Sequence, residues 1–222
     1  MTTIGSSPSS RRSTPIWPER ELLFPLPGGW QRLIVEASAC RICPGLRGSM
    51  PVLGMSDGPV PAQILLIGEA LGRHGAVRTG VPLHGDRTGQ HVEHLLAVAG
   101  VPLEAVHRTH AVLCHPADER GRNRRPQAAE IGRCARWLAW RLQVVDPLIV
   151  VTLGAVPLAS LEHIAPHGLR LAEAAGQPTR WEGRWLLPLY HPSPCALARR
   201  PMGRQEEDWR ALGALWSMVT SA

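Results

Sequence analysis

Two short apolar runs constrain this chain more than any other feature: Ile64-Leu65-Leu66-Ile67 and Leu148-Ile149-Val150-Val151-Thr152-Leu153, each closed by a glycine, Gly68 and Gly154. Unbroken runs of Ile, Leu and Val suit strands buried on both faces, as in parallel sheets covered by helices. Two more strands are predicted at 108–114 (RTHAVLC) and 185–190 (WLLPLY). Helical patterns fall between and around them, at 28–40, 89–101, 127–143, 155–163 and 203–219. Gly100 stops the second of these and Asp146-Pro147 breaks the third. Strands alternating with helices imply an α/β fold with a mostly parallel sheet covered on both faces. A chain of 222 residues, 44% hydrophobic, can bury such a core in one domain. Residues 1–18, rich in Ser, Pro and Arg, are expected to be a disordered tail, and 19–222 a single domain. The first residues lack the apolar centre of a signal peptide, and no apolar run approaches the roughly 18 residues of a membrane span. A cytoplasmic protein with no membrane partner is therefore expected.

In sheets of this kind, ligands sit beyond the carboxyl ends of the strands. Glu69, His110, the Gly154 turn and His191 all fall at or near those ends. Glu69 raises a question of its own, because a carboxylate at the mouth of a buried strand is costly unless something there uses it.

The charge balance narrows the chemistry. There are 24 basic and 18 acidic residues, and every basic residue is Arg. Without lysine, a lysine Schiff base and a P-loop lysine are excluded. Arginine binds phosphate through a planar fork, so a net charge of +6 is compatible with nucleic acid.

Five cysteines stand at 40, 43, 114, 134 and 195. In a cytosolic protein such a set points to metal or catalysis before disulfides. Cys40 and Cys43 form a C-x-x-C pair; Cys114 and Cys134 are too widely spaced for a zinc knuckle. A cubane iron–sulfur cluster needs four thiolates and accepts ligands on scattered loops. Spacing alone leaves zinc and iron–sulfur both open.

The ordered motifs IGEALG, RTGVPLHGDRTGQHVEHLL, THAVLC, GRNRRPQAAEIGRC, LIVVTLG and LYHPSPCALARRP resemble the uracil-DNA glycosylase superfamily, specifically its iron–sulfur branch of families four and five. The resemblance runs from about Leu33 to Leu212. It implies a three-layer α/β/α sandwich around a four-stranded, mostly parallel sheet. It implies a [4Fe–4S] cluster on Cys40, Cys43, Cys114 and Cys134, with Cys195 outside the set. It implies catalytic roles for Glu69 and His191: a carboxylate that positions water or steadies charge, and a donor to the base carbonyl. Gly68, Ala70, Gly72, Leu83, His84, His110 and Ser193 would line the base pocket. Arg122, Arg124, Arg125, Arg199 and Arg200 would contact phosphates, and Leu197 would wedge into the vacated base stack.

The expected activity is a divergent monofunctional DNA glycosylase acting on DNA that contains uracil or another deaminated or damaged base, as a monomer. With no lysine, no imine-linked strand cleavage follows. Two positions depart from the family pattern. Leu83 stands where an aromatic ring would stack on the base, and stacking contributes about 1–3 kcal/mol. His110 stands where an asparagine would read the uracil edge, and a neutral imidazole cannot present donor and acceptor side by side. These departures open a second expectation, a catalytically weak or inactive protein of the same fold that binds DNA or a partner, and they leave room for hypoxanthine, xanthine or an alkylated pyrimidine as the base.

Overall fold

The computed structural model describes residues 29–46 and 48–221. The tail at 1–18 lies outside the described residues. Among the described residues five strands form one sheet: β1 (Ile64–Ala70), β2 (Val106–Val112), β3 (Ile149–Leu153), β4 (Thr179–Trp181) and β5 (Arg184–Leu189). Seven α-helices accompany them among the same residues: α1 (Gly29–Ser38), α2 (Ala76–Thr79), α3 (Arg87–Ala99), α4 (Ala128–Val145), α5 (Ala155–Glu162), α6 (Leu171–Ala174) and α7 (Met202–Thr220). The sheet order is β2-β1-β3-β5-β4. The first four strands in that order run parallel, and β4 joins β5 antiparallel. The sheet thus has the four parallel strands expected, plus a three-residue edge strand.

The pleat sorts side chains between two layers. Ile64 and Leu66 of β1 pack with Val92, Leu95 and Leu96 of α3 and Trp209 and Leu212 of α7. Leu65 and Ile67 pack with Leu138 and Leu142 of α4 and Leu158 and Leu161 of α5. α7 crosses α3 at Gly213, where a β-carbon would lie 2.1 Å from the Ala99 carbonyl oxygen, so only glycine fits. α1 lies outside α4 and closes a smaller cluster of Trp30, Leu33, Leu113 and Trp137.

One buried polar group braces this outer layer. Arg141 on α4 donates from Nη1 to Asp57 Oδ2 at 2.7 Å, and both side chains are essentially sealed. His107 of β2 donates from Nδ1 to the Pro59 carbonyl at 3.0 Å, which leaves its bare Nε2 facing Arg141 Nη1 at 3.1 Å. Burial first, then the Arg141 charge, holds the His107 pKa down at about 3.

The neighbours of β1 are β2 on one side and β3 on the other, so successive connections leave it in opposite directions. The crevice at the carboxyl end of β1 is therefore the topological switch point, where doubly wound sheets bind ligands.

Candidate functional site

β1 ends in Gly68, Glu69 and Ala70. Gly68 pairs in register with His110 of β2. A β-carbon at 68 would lie 2.7 Å from His110 Cδ2 and 2.8 Å from Leu83 Cδ2, so the imidazole and the leucine cover the same spot. His110 is 4% exposed, and its Nδ1 is sealed without a hydrogen-bond partner among the described residues. Burial first, then the neighbouring His191 and Arg141, lowers its pKa to about 3, so the ring is neutral. Leu83 adopts a left-handed backbone, φ 53°, while its side chain is buried. That conformation is strained for a branched side chain, and such strain concentrates at functional loops.

His191 follows β5. It packs against Gly154 at the end of β3, where a β-carbon would lie 3.4 Å from His191 Cβ. The loop carrying it is pinned to α3: His91 Nδ1 donates to the Pro192 carbonyl at 2.7 Å. Burial lowers the His191 pKa to about 4, opposed by the carboxylate of Asp86.

Asp86 is a site residue that the sequence reading passed over. It caps α3, accepting from the Gly89 N–H at 2.9 Å through Oδ1. Its other oxygen, Oδ2, faces the loop after β1, where β-carbons at Gly75 and Gly72 would lie 2.6 and 3.3 Å away. Two glycines thus make room for one carboxylate oxygen. Asn123 is a second omission. Its Oδ1 accepts from the Arg73 N–H at 3.0 Å and from His115 Nε2 at 2.8 Å, joining the loops after β1 and β2.

Glu69 lies elsewhere. By the alternation along β1 it continues the face of Leu65 and Ile67, opposite that of Gly68. Burial raises its pKa, and Arg125 opposes the rise. The chain end of β1 therefore presents two sides: Gly68, His110, Leu83, Asp86 and His191 on one, Glu69 and Arg125 on the other. His84 turns outward and pairs with Glu93 of α3 at 3.1 Å. The Ser193 carbonyl accepts from the Ala196 and Leu197 N–H groups, which turns the loop so that half-buried Leu197 sits at the surface.

The arginines divide in the same way. Arg124 grips the buried carboxylate of Glu130 with both guanidinium nitrogens, at 2.9 and 2.6 Å. Arg200 grips Asp208 with two bonds, at 2.9 and 2.5 Å, beneath its contact with the Tyr190 ring. Both are structural clamps. Arg122, Arg125 and Arg199 are exposed, Arg122 beside Asp118.

The cysteine quartet forms a second centre. Cys40 and Cys43 lie in the turn after α1, Cys114 follows β2, and Cys134 sits on α4. All four are free thiols that line one cavity, walled by Leu46, Pro51, Val112, Leu113 and Trp137. The Leu113 N–H points at Cys134 Sγ at 3.4 Å, and Arg136 Nη2 at Cys40 Sγ at 3.6 Å. Burial pushes Cys114 up to about 11 and Cys134 up to about 12, and the other thiols add to both. Among the described residues no three Cys, His, Asp or Glu side chains converge on one ion position. A single zinc needs sulfurs about 2.3 Å from a shared centre. Four free thiols around one largely apolar cavity are a donor set suited to a thiolate-ligated metal centre. His110 and Cys114 stand four residues apart on the same strand and its exit, so whatever fills the cavity also fixes the end of β2.

A doubly wound sheet with histidines at its switch point and four thiols lining a cavity beside it defines an α/β protein with a candidate ligand crevice and a thiol-rich cavity. The uracil DNA glycosylase superfamily model matches residues 55–213. A type-5 uracil-DNA glycosylase of Thermus thermophilus is 33% identical over 73% of this chain and 86% of its own length. A type-4 uracil-DNA glycosylase of Thermotoga maritima is 29% identical over 69% of this chain and 76% of its own. The type-4 enzyme of Archaeoglobus fulgidus is 27% identical over 82% and 91%. The chain belongs to the uracil-DNA glycosylase superfamily.

Proposed function

We propose that this chain is a monofunctional DNA glycosylase that hydrolyses the N-glycosidic bond of uracil or another deaminated base in DNA. The observation that carries the reading is the meeting of His191, Asp86, His110 and Gly68 on one side of the sheet's switch point. The names of the relatives support the same reaction.

Breaking the bond builds positive charge on the sugar and negative charge on the departing base. His191 is neutral at physiological pH, and its N–H is suited to a base carbonyl on which charge grows. Asp86 Oδ2, which accepts no hydrogen bond among the described residues, faces the recess left by Gly72 and Gly75, a place for the attacking water. Glu69, with Arg125 beside it, adds a second carboxylate near the strand end that steadies the sugar cation from the far side. Gly68, Ala70 and Gly72 supply backbone to the base pocket, with His110 offering the ring edge that covers Gly68, Cδ2 and Nε2, to the base. Ser193 turns the loop that presses the DNA, with Leu197 as its wedge. Arg122, Arg125 and Arg199 are the exposed phosphate contacts.

The four cysteines hold a [4Fe–4S] cluster that organises the loops at the DNA-facing end. When bound, it supplies a covalent brace between α1, β2 and α4; the reacting groups are the chain's own side chains. The protein works as a monomer on DNA in the cytoplasm. No helix among the described residues is long and apolar enough to cross a membrane.

The covering of Gly68 by His110 and Leu83 favours a second reading, in which uracil is accepted poorly and the protein chiefly binds DNA. The test is release of free base from oligonucleotides carrying uracil, hypoxanthine or xanthine, with Asp86→Asn and His191→Ala alongside. Release that both variants abolish supports the glycosylase. No release from any lesion, with DNA binding intact, supports the second reading.

A further inference from the structure

Three arginines surround the four-thiol cavity, and the glycosylase reaction uses none of them. Arg41 and Arg133 line the cavity. Arg136 reaches Cys40 Sγ at 3.6 Å while its guanidinium lies 4.4 Å from the Trp137 ring centroid, which fixes its direction. Arg41 is fixed too: Nη1 donates to the Ser38 and Cys40 carbonyls at 2.8 and 2.7 Å, and Nη2 meets Met50 Sδ at 2.9 Å. Arg133 and Cys43 line the same cavity, and the Arg133 charge favours the Cys43 thiolate. Among the described residues the partners of Arg41 and Arg136 are carbonyls and sulfurs, so no carboxylate there takes up their charge. On α4 the two arginines flank Cys134, and Arg41 separates Cys40 from Ile42 and Cys43. Arg136 thus contacts the Cys40 thiol, Arg133 and Arg41 add their charge near Cys43 and Cys114, and Cys134 meets a backbone N–H.

We propose that Arg41, Arg133 and Arg136 form a cationic collar that raises the reduction potential of the [4Fe–4S] cluster and protects it from oxidative loss. The inference rests on the cluster reading above. Four thiolates on a doubly positive core make a dianion. One electron from a low-potential reductant such as dithionite makes it a trianion, with no bond formed or broken. Positive charge and N–H···S bonds stabilise the more negative state, so the reduction potential rises. The same field makes removal of an electron from the resting cluster harder.

The experiment is a spectroelectrochemical titration of the purified holoprotein, with iron and sulfide counted in each sample. Arg41→Gln, Arg133→Gln, Arg136→Gln and the Arg133→Gln/Arg136→Gln double variant are compared with wild type. Arg210→Gln, on the exposed side of α7, controls for net charge. The double variant is expected to lower the reduced-to-oxidised ratio at fixed potential about tenfold, equivalent to about 59 mV for one electron. It also loses iron faster in air. Arg136→Lys retains most of the wild-type potential, and it keeps the comparison open should the double variant fail to take up iron. An unchanged midpoint in iron-replete Gln variants overturns the collar, as does an equal shift from Arg210→Gln. An iron-free wild type overturns the cluster reading itself and the collar with it.

Discussion

His110 lies directly across the β1–β2 ladder from Gly68, and its Cδ2 would stand 2.7 Å from any β-carbon placed there. Gly68→Ala therefore forces the imidazole or Leu83 aside in a packed layer. Such overpacking costs about 1–3 kcal/mol, readable as a lower denaturant midpoint. Base release falls beyond what the stability loss explains, because the displaced ring is the one that meets the base. Gly203→Ala, with nothing within 4 Å of the added methyl, is the matched control.

Acid should unfold the protein through its buried histidines. His107 and His110 hold pKa values of about 3 and His191 about 4, all below the ordinary 6.5. These rings take up protons in the unfolded chain first, so stability falls as pH drops from about 6.5 towards 4. Denaturation midpoints measured across that window should slope downward, and less steeply in His110→Ala. The kcat profile should show no inflection near 6.5 and a fall only near pH 4, where His191 protonates.

The two carboxylates should separate in kinetics. Asp86→Asn keeps a good helix cap but removes the charge beside His191. It should cut base release by about a hundredfold or more, in the range of a lost general base. Glu69→Gln, on the opposite face of β1, should cost less. Single-turnover rates on a uracil oligonucleotide test the order, and a larger loss from Glu69→Gln would reverse the assignment.

Arginine substitutions should fall into two classes. Arg124→Ala leaves the buried Glu130 carboxylate unpaired and should destabilise the fold by about 3 kcal/mol. Arg199→Ala leaves stability unchanged and reduces the slope of log K against log salt by about 1. Chemical denaturation and DNA binding at several salt concentrations distinguish the two.

Removing a thiol should remove the metal. Cys134→Ala, on the most buried of the four sulfurs, should yield colourless protein without iron and a lower thermal midpoint, since metal binding energy is also folding energy. Cys195→Ala, on an exposed thiol, should do neither.

The strands were legible where burial is complete on both faces. β1 and β3 announce themselves as apolar runs. β2 begins at Val106, two residues before the predicted start at 108, because His107 is polar and finds its partners in Pro59 and Arg141, far off in sequence. β4 escaped notice because three residues with one buried side chain carry no periodicity. In the site, His110, His191 and the cysteines could be found because their types are rare at strand ends. Asp86 was hidden by its second task, since a residue that reads as a helix cap gives no sign of where its other oxygen points. Arg124 and Arg200 read as phosphate ligands because the sequence does not reveal that Glu130 and Asp208 already hold them.

The short edge strand β4 has a consequence for how the protein behaves in a crowded cell. A passing chain that tries to lengthen the sheet beyond β4 finds a lip of three residues with Arg180 standing on it, its guanidinium laid over the Trp185 ring. So brief a lip gives a newcomer little to zip onto. That flank of the molecule thus discourages self-adhesion and keeps the crevice at the strand ends available to its own ligand.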